Sequence, residues 1–326
     1  MEPVLNIESL DVTFTGERPV PAVRGVSLAL APGQVLCIIG ESGSGKSVTL
    51  QATMRLLPPA TTRYGGRIMV DGEDVLALTA PALRALRGPK LSMVFQEPMS
   101  ALDPVTRIGQ LIGEVLRMRE GIGRAEARAR AVQALELVQV PDAARRADAY
   151  PHELSGGLRQ RAMIALAIAS RPRVLLADEP TTALDATVQI QVLLLLRRLR
   201  AELGMAMVFV THDLGVAAEI ADEVAVMYAG QVVESGSVGD ILRAPMHPYT
   251  RALIGSSVQG AAAGVRLATI NGAPPDPARL PPGCAFAPRC PMAAAACALA
   301  PPSERHGNGR MIRCGRVELD GSVRGA

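Results

Sequence analysis

Tryptophan is missing from this 326-residue chain, and aromatic residues as a whole make up only 2% of it. The core must therefore be built from Leu, Val, Ile, Ala and Met. The shortage also removes the stacking platform on which single-strand nucleic-acid binders hold bases. Excess charge of one sign is lacking too. Lys and Arg number 34 against 31 Asp and Glu, a net charge of +3, which is too near balance for a nucleic-acid or membrane footprint. No run approaches the roughly 18 apolar residues of a spanning helix. The opening MEPVLNIESLDVTF carries an acid and no basic flank, so a signal peptide is not expected and a cytosolic chain is. No internal repeat is visible. What is present fits a globular protein: 48% hydrophobic and 20% charged residues exclude wholesale disorder. The length allows one large domain or two ordinary ones.

Strand and helix patterns alternate along the chain. VLNIESLDVTF and PAVRGVSLAL read as strands, and QVLCIIG (34–40) as a fully buried one. SVTLQATMRLL (47–57) reads as a helix stopped by Pro58 and Pro59. GRIMVDG (66–72) is a strand closed by a turn, and residues 106–170 read mostly as amphipathic helix. The strand PRVLLADE (172–179), the helix 187–203, the strand 205–213, a short helix and a strand pair at 222–236 follow. Such alternation predicts an α/β fold with a parallel sheet covered on both faces, and the central helical stretch reads as an inserted subdomain.

Residues 259–326 differ. They hold 9 Pro and 9 Gly against 12 Leu, Ile, Val, Met or Phe, too few for an independent core. This tail must lie on the main domain, be cross-linked, or stay partly disordered. It also holds four of the five cysteines, Cys284, Cys290, Cys297 and Cys314; Cys37 sits alone in an apolar strand and reads as inert.

Gly40-Glu41-Ser42-Gly43-Ser44-Gly45-Lys46-Ser47 matches G-x-x-x-x-G-K-[ST], behind a buried strand and ahead of a helix. The glycines let successive backbone N–H groups turn toward a phosphate, and the helix N-terminus adds partial positive charge. Lys46 is expected to bridge β- and γ-phosphates, Ser47 to ligate Mg²⁺, and Thr49 to belong to the same nucleotide-binding set. The strand RVLLADEP ends in two acids. Asp178 is the expected Mg²⁺ holder and Glu179 the expected base toward water. His212 in VFVTHD and Gln96 in SMVFQEP also end strands; Gln96 offers a Mg²⁺ or water contact and His212 a γ-phosphate contact. Either residue alone reads equally as a polar strand end.

Leu154-Ser155-Gly156-Gly157-Leu158-Arg159-Gln160 carries a resemblance. LSGG followed by x-R-Q resembles the signature of the nucleotide-binding subunits of ABC (ATP-binding cassette) transporters. The order also resembles that family: phosphate loop, Gln96 in a Q-loop, signature, Asp178-Glu179, Ala183-Leu184-Asp185 as D-loop and His212 as switch. The resemblance implies a P-loop (RecA-like) nucleotide-binding domain over 1–236, with the helical subdomain at about 98–170. It implies ATP held between one chain's phosphate loop and Ser155, Gly156 and Gly157 of another. An aromatic ahead of the loop should stack on adenine; Phe14 is the candidate, and a core role fits it as well.

A narrower resemblance follows. FQEPMSALDPVTRIGQLIGE, YPHELSGGLRQR, ADEPTTALDATVQIQ, HPYTRALIGSS and the tail PPGCAFAPRCPMAAAAC are similar to the ATPases of oligopeptide/dipeptide importers, their D-type subunit in particular. That implies connecting helices at 237–258 and a Cys-rich extension at 259–326. It also implies an F-type ATPase partner, two membrane-spanning permeases, an external solute-binding protein, and a place on the cytoplasmic face of the membrane. Nickel, glutathione or another small solute are alternative cargoes, and a soluble, non-transport ABC ATPase is a more distant reading. No nucleic-acid partner is expected. The spacing C-x5-C-x6-C-x16-C lacks the short C-x2–4-C pairs of zinc sites. It favours a 4Fe–4S cluster over four free thiols, and zinc least.

Overall fold

A computed structural model describes residues 2–182, 184–256, 269–300 and 302–322. Parts of the expected tail (259–268, 301 and 323–326), the last two residues of the expected connecting helices (257–258) and Ala183 of the expected D-loop lie outside the described residues.

The chain forms two compact units, each assembled from separated segments. The first comprises Met1–Leu5, Leu30–Gln34 and Met69–Phe209, and the second comprises Asn6–Ala29, Val35–Ile68 and Val210–Ala326.

In chain order the elements begin with β1 (Leu5–Phe14), β2 (Val20–Leu30), β3 (Val35–Ile39), α1 (Lys46–Thr53), β4 (Thr62–Val70) and β5 (Glu73–Asp74). Next come α2 (Ala80–Leu86), β6 (Leu91–Val94), α3 (Pro98–Ala101), α4 (Ile108–Glu120), α5 (Arg124–Leu137), α6 (Ala143–Arg146) and α7 (Gly156–Ile168). β7 (Val174–Asp178), α8 (Ala186–Leu203), β8 (Ala206–Thr211), α9 (Leu214–Ile220), β9 (Glu223–Tyr228) and β10 (Gln231–Ser237) follow. The chain closes with α10 (Val238–Arg243), α11 (Pro248–Gly255), α12 (Ala295–Leu299), β11 (Arg305–Gly307) and β12 (Arg310–Ile312).

In the first unit β6 and β7 pair in parallel, Leu91 with Val174 through Val94 with Ala177. Every residue of β7 is buried, as a strand covered on both faces requires. Helices α4 to α7 occupy the stretch that reads as helical in the sequence. They pack through small residues: Gly109 lies so close to Ala147 that a Cβ there would sit 2.8 Å from its methyl.

In the second unit β3 pairs in parallel with β9, and β9 turns back antiparallel onto β10 through Ala229-Gly230. Both turn residues have positive φ (47° and 80°), a conformation that glycine supplies without strain. β10 then receives β12, pairing Glu234 with Ile312 and Ser235 with Met311. The tail therefore lies on this unit's sheet. Its small core joins Ile312, Cys314 and Val317 to Met246, with Met292 and Leu319 packed alongside.

Several boundaries differ from the sequence reading; β4 begins at Thr62, ahead of the expected 66. Helix α1 ends at Thr53, ahead of the expected stop at Pro58, because Arg55 takes a positive φ of 52° and turns Leu57 into the core. Strand β8 ends at Thr211, short of Asp213, because the Asp213 carboxylate caps α9.

Candidate functional site

The phosphate-loop motif lies in the second unit. Gly40, Gly43 and Gly45 have φ of 154°, 77° and 101°. A Cβ on Gly40 would sit 2.2 Å from the Met227 carbonyl oxygen, and one on Gly45 would sit 2.6 Å from that of Ala22. Only glycine fits these two positions, which explains the motif's spacing physically. Lys46 is buried, and its Nζ donates to the carbonyls of Gly40 (2.8 Å) and Glu41 (3.0 Å), arching its side chain back over the loop. The Ser44 hydroxyl is buried with no hydrogen-bond partner among the described residues. An orphaned buried donor in a glycine-rich loop ahead of a helix N-terminus suits an oxygen-rich anion. Ser42 lies in the exposed part of the loop and Ser47 in the first turn of α1. Thr49 is fully buried and donates to the Gly45 carbonyl (2.9 Å), so its hydroxyl bonds within its own helix.

His212 is exposed at the end of β8. The flanking Thr211 hydroxyl accepts the Asp213 N–H at 3.0 Å, and Asp213 accepts the Gly215 N–H at 2.7 Å. Phe14 ends β1, half-buried.

The remaining motif residues lie in the first unit. Asp178, the last residue of β7, is 4% exposed. Glu179 follows with φ of 44°, the left-handed region that a side chain of this kind rarely adopts. Such strain persists only where its surroundings hold it, and it is frequent at catalytic positions. Glu179 Oε2 accepts from Gln96 Nε2 at 3.3 Å and from the Thr182 hydroxyl at 2.8 Å. The structure thus joins Gln96 and Glu179, which lie 83 residues apart in the sequence.

Ser155 is the N-cap of α7, and its hydroxyl accepts the Leu158 N–H at 3.4 Å. Gly156 and Gly157 form the first turn, and a Cβ on Gly157 would meet Val188 at 2.9 Å. Asp185 caps α8, accepting the Val188 N–H at 3.0 Å. A cavity of about 180 Å³ has Gln96, Met99, Gly156, Arg159 and Leu184 in its lining, so Q-loop and signature share one space.

In the second unit, Cys284, Cys290, Cys297 and Cys314 all line one cavity of about 90 Å³, together with Phe286 and other apolar side chains. All four are free thiols, and burial pushes those of Cys284 and Cys290 up from their ordinary range. Among the described residues no group of three or more His, Cys, Asp or Glu side chains is arranged to hold a metal ion. Gly283 admits the Cys297 carbonyl so closely that a Cβ there would sit 2.1 Å from it. Cys37 is fully buried in β3 and burial raises its thiol far above the ordinary range, in keeping with an inert core residue.

Sequence reasoning missed two features. Glu234, in mid-β10, is fully buried and accepts the N–H groups of Met246 (2.8 Å) and His247 (2.9 Å) and an Arg310 N–H (2.8 Å). Arg289 forms a two-bonded ion pair with Glu41 of the phosphate loop. Neither belongs to a local motif; the only sequence hint for Arg289 is its place beside Cys290.

Residues 23–182 match the model of the ABC transporter family, and residues 233–297 match that of the oligopeptide/dipeptide transporter C-terminal region. The chain is 48% identical over 313 residues to a peptide import ATP-binding protein of Brucella abortus (strain 2308), covering 96% of this chain and 94% of the relative. It is 49% identical over 330 residues to a second such protein of the same strain, covering 96% and 97%. Among solved structures, the dimeric, ADP- and Pi-bound post-hydrolysis state of the ATP-binding cassette MJ0796 superposes with a TM-score of 0.64 at 30% identity, covering 72% of this chain and 98% of that one. CbiO1 of Clostridium perfringens, part of the ABC transporter complex cbiONQ, gives 0.62 at 27% identity, covering 74% and 91%.

Proposed function

This chain belongs to the ABC transporter ATP-binding proteins that carry the oligopeptide/dipeptide C-terminal region, and from that membership we infer that it hydrolyses ATP to power peptide import. The observation that carries the reading is the match to peptide import ATP-binding proteins over nearly the whole chain, C-terminal region included. The fold is that of a P-loop ABC ATPase, and the activity requires ATP and Mg²⁺.

The ATP-binding domain is taken as 1–236, with its helical subdomain at about 98–170, connecting helices at 237–258 and the Cys-rich extension at 259–326. The phosphate loop's N–H groups and Lys46 bind the triphosphate. Ser47, Gln96 and Asp178 are oxygen donors of the kind Mg²⁺ takes, and the ion when bound neutralises phosphate charge. Glu179 accepts a proton from the attacking water as it approaches the γ-phosphate in line. Gln96 and Thr182 steady that carboxylate, and the hydrogen bonds they donate to it support the assignment. His212 contacts the γ-phosphate side, and Phe14 meets the adenine. Ser155, Gly156, Gly157 and Asp185 serve the ATP bound by a second ATPase subunit, of F-type, because a capped helix N-terminus is an anion site.

Two permeases and an external solute-binding protein complete the importer, and this subunit sits peripherally on the cytoplasmic face. No described helix is long and apolar enough to cross a membrane. Residues 97–114 and the helical insert are the proposed permease contact; Met99 and Val105 there are 37% and 79% exposed, apolar surface that a partner would cover.

Cys284, Cys290, Cys297 and Cys314 are the proposed ligands of a 4Fe–4S cluster. Four thiols around one apolar cavity support it, and the cluster would staple a tail with little core of its own. Anaerobically purified protein is then expected to absorb broadly in the visible and to hold about four irons per chain. Colourless, iron-free protein with four titratable thiols overturns the cluster. The import reading is tested by peptide uptake into vesicles holding the full assembly. ATP-dependent accumulation of peptide, lost with Glu179→Gln, is expected. ATP-driven uptake of nickel or glutathione but of no peptide would contradict it.

A further inference from the structure

The phosphate loop carries an acid at a position where the motif asks for no particular residue. Glu41 is two-bonded to Arg289, Nη1 to Oε2 at 2.6 Å and Nη2 to Oε1 at 3.0 Å. The Arg289 side chain is 5% exposed and the Glu41 side chain 24%. Arg289 is held on every side. Nη1 also donates to the Tyr228 hydroxyl (3.2 Å) and Nε to the Asn271 carbonyl (3.0 Å). Its guanidinium lies 5.8 Å from the centre of the Tyr228 ring and 6.0 Å from that of Phe286.

A second tie runs beside the first. The Glu41 backbone N–H donates to the Tyr249 hydroxyl at 2.9 Å. Tyr228, Tyr249 and Phe286 pack on one another with centroids 4.6 to 5.3 Å apart. The chain has only 4 Tyr and 4 Phe, and three of those eight rings stand here. Phe286 also lines the cysteine cavity, and Arg289 immediately precedes Cys290, another of its walls. One wall of the thiol cavity is thus bonded to the loop that takes the phosphates.

Charge decides what the pair is for. A bare carboxylate on a loop that binds a polyanion repels its ligand, and partial burial weakens the solvent screening that would soften this. Arg289 cancels that charge, and its planar fork fixes the carboxylate's direction, which a lysine cannot do. We propose that Arg289 is a positioning residue for ATP binding, neutralising Glu41 and tying the loop to the tail, so that the docking of the cysteine-lined tail sets the affinity for ATP.

The proposal rests on the phosphate-loop reading, and Lys46→Ala tests that reading alone. The experiment measures binding of a fluorescent ATP analogue, and ATP KM and kcat, on the full chain with thermal unfolding followed alongside. Arg289→Ala is expected to weaken binding about tenfold, with the loss in KM more than in kcat. Arg289→Lys should lose less. Adding Glu41→Gln to Arg289→Ala should bring affinity back near the wild-type value, because the repelling charge is gone. Should Arg289→Ala fail to fold, the Arg289→Gln, Glu41→Gln pair carries the test, and near wild-type affinity is expected of it. An Arg289→Ala chain that binds as tightly as wild type, or a loss that Glu41→Gln does not restore, overturns the proposal. Unimpaired binding by Lys46→Ala would instead overturn the loop reading itself.

Discussion

At the scale of single residues, Glu179 is the proposed base. It combines a left-handed backbone with two donors on one carboxylate oxygen. Glu179→Gln keeps the shape and removes the basicity. We expect it to bind ATP as wild type does while turnover falls by at least about 10²-fold, measured by single-turnover hydrolysis. Equal rates would remove Glu179 from the role of base. Gly40 is bound by sterics. With φ of 154° and a carbonyl 2.2 Å from any Cβ, Gly40→Ala must shift β9 or the loop. The expected outcome is a loss of about 1–3 kcal/mol in thermal unfolding together with weakened ATP binding. Gly40 was legible in the sequence because it belongs to a motif of fixed glycine spacing, and Glu179 because two acids close an apolar strand. The Glu41–Arg289 pair was not, because 248 residues separate its halves and no local rule links them.

At the scale of elements, the buried strands β3, β7 and β8 were readable as uninterrupted apolar runs between turn residues. The end of α1 was not. Proline marks where a helix must already have stopped, and here packing of Leu57 stops it earlier. The tail's attachment to β10 was also hidden, because β12 is only three residues long, too short for an alternating pattern to show. That attachment has a titratable element. His247 is fully buried as the N-cap of α11; its ring Nδ1 accepts the Tyr249 N–H at 3.0 Å, and its backbone N–H donates to Glu234 Oε2 at 2.9 Å. Arg310 pairs with the same Glu234, and Arg313 bonds through its backbone on the other side. Burial lowers the His247 pKa from 6.5 to about 3. Because the folded value lies below the unfolded one, this stabilisation is complete above pH 6.5 and is lost as pH falls toward 3, by up to ~1.4 kcal/mol per unit. Urea unfolding at pH 7.5 and 5.5 should show that slope in the wild type. His247→Asn, which keeps a capping oxygen, should show a smaller one; identical slopes would assign the acid sensitivity elsewhere.

At the scale of the whole molecule, the chain carries two helix N-termini suited to phosphate. One, α1, opens behind the phosphate loop of the second unit; the other, α7, opens behind the capped signature of the first. The family order of motifs made this doubling legible in the sequence, since one nucleotide site needs only one such loop. On the proposed function, each chain lacks the complementary half of the catalytic pocket. Nucleotide then joins the two halves, and turnover is a property of the pair. The most direct measurement is ATP hydrolysis per chain as the concentration of purified protein is lowered through the range where it becomes strictly monomeric, with and without its companion ATPase. Turnover should fall away with dilution and return when the companion is added. A monomer hydrolysing at the undiminished rate would contradict the account.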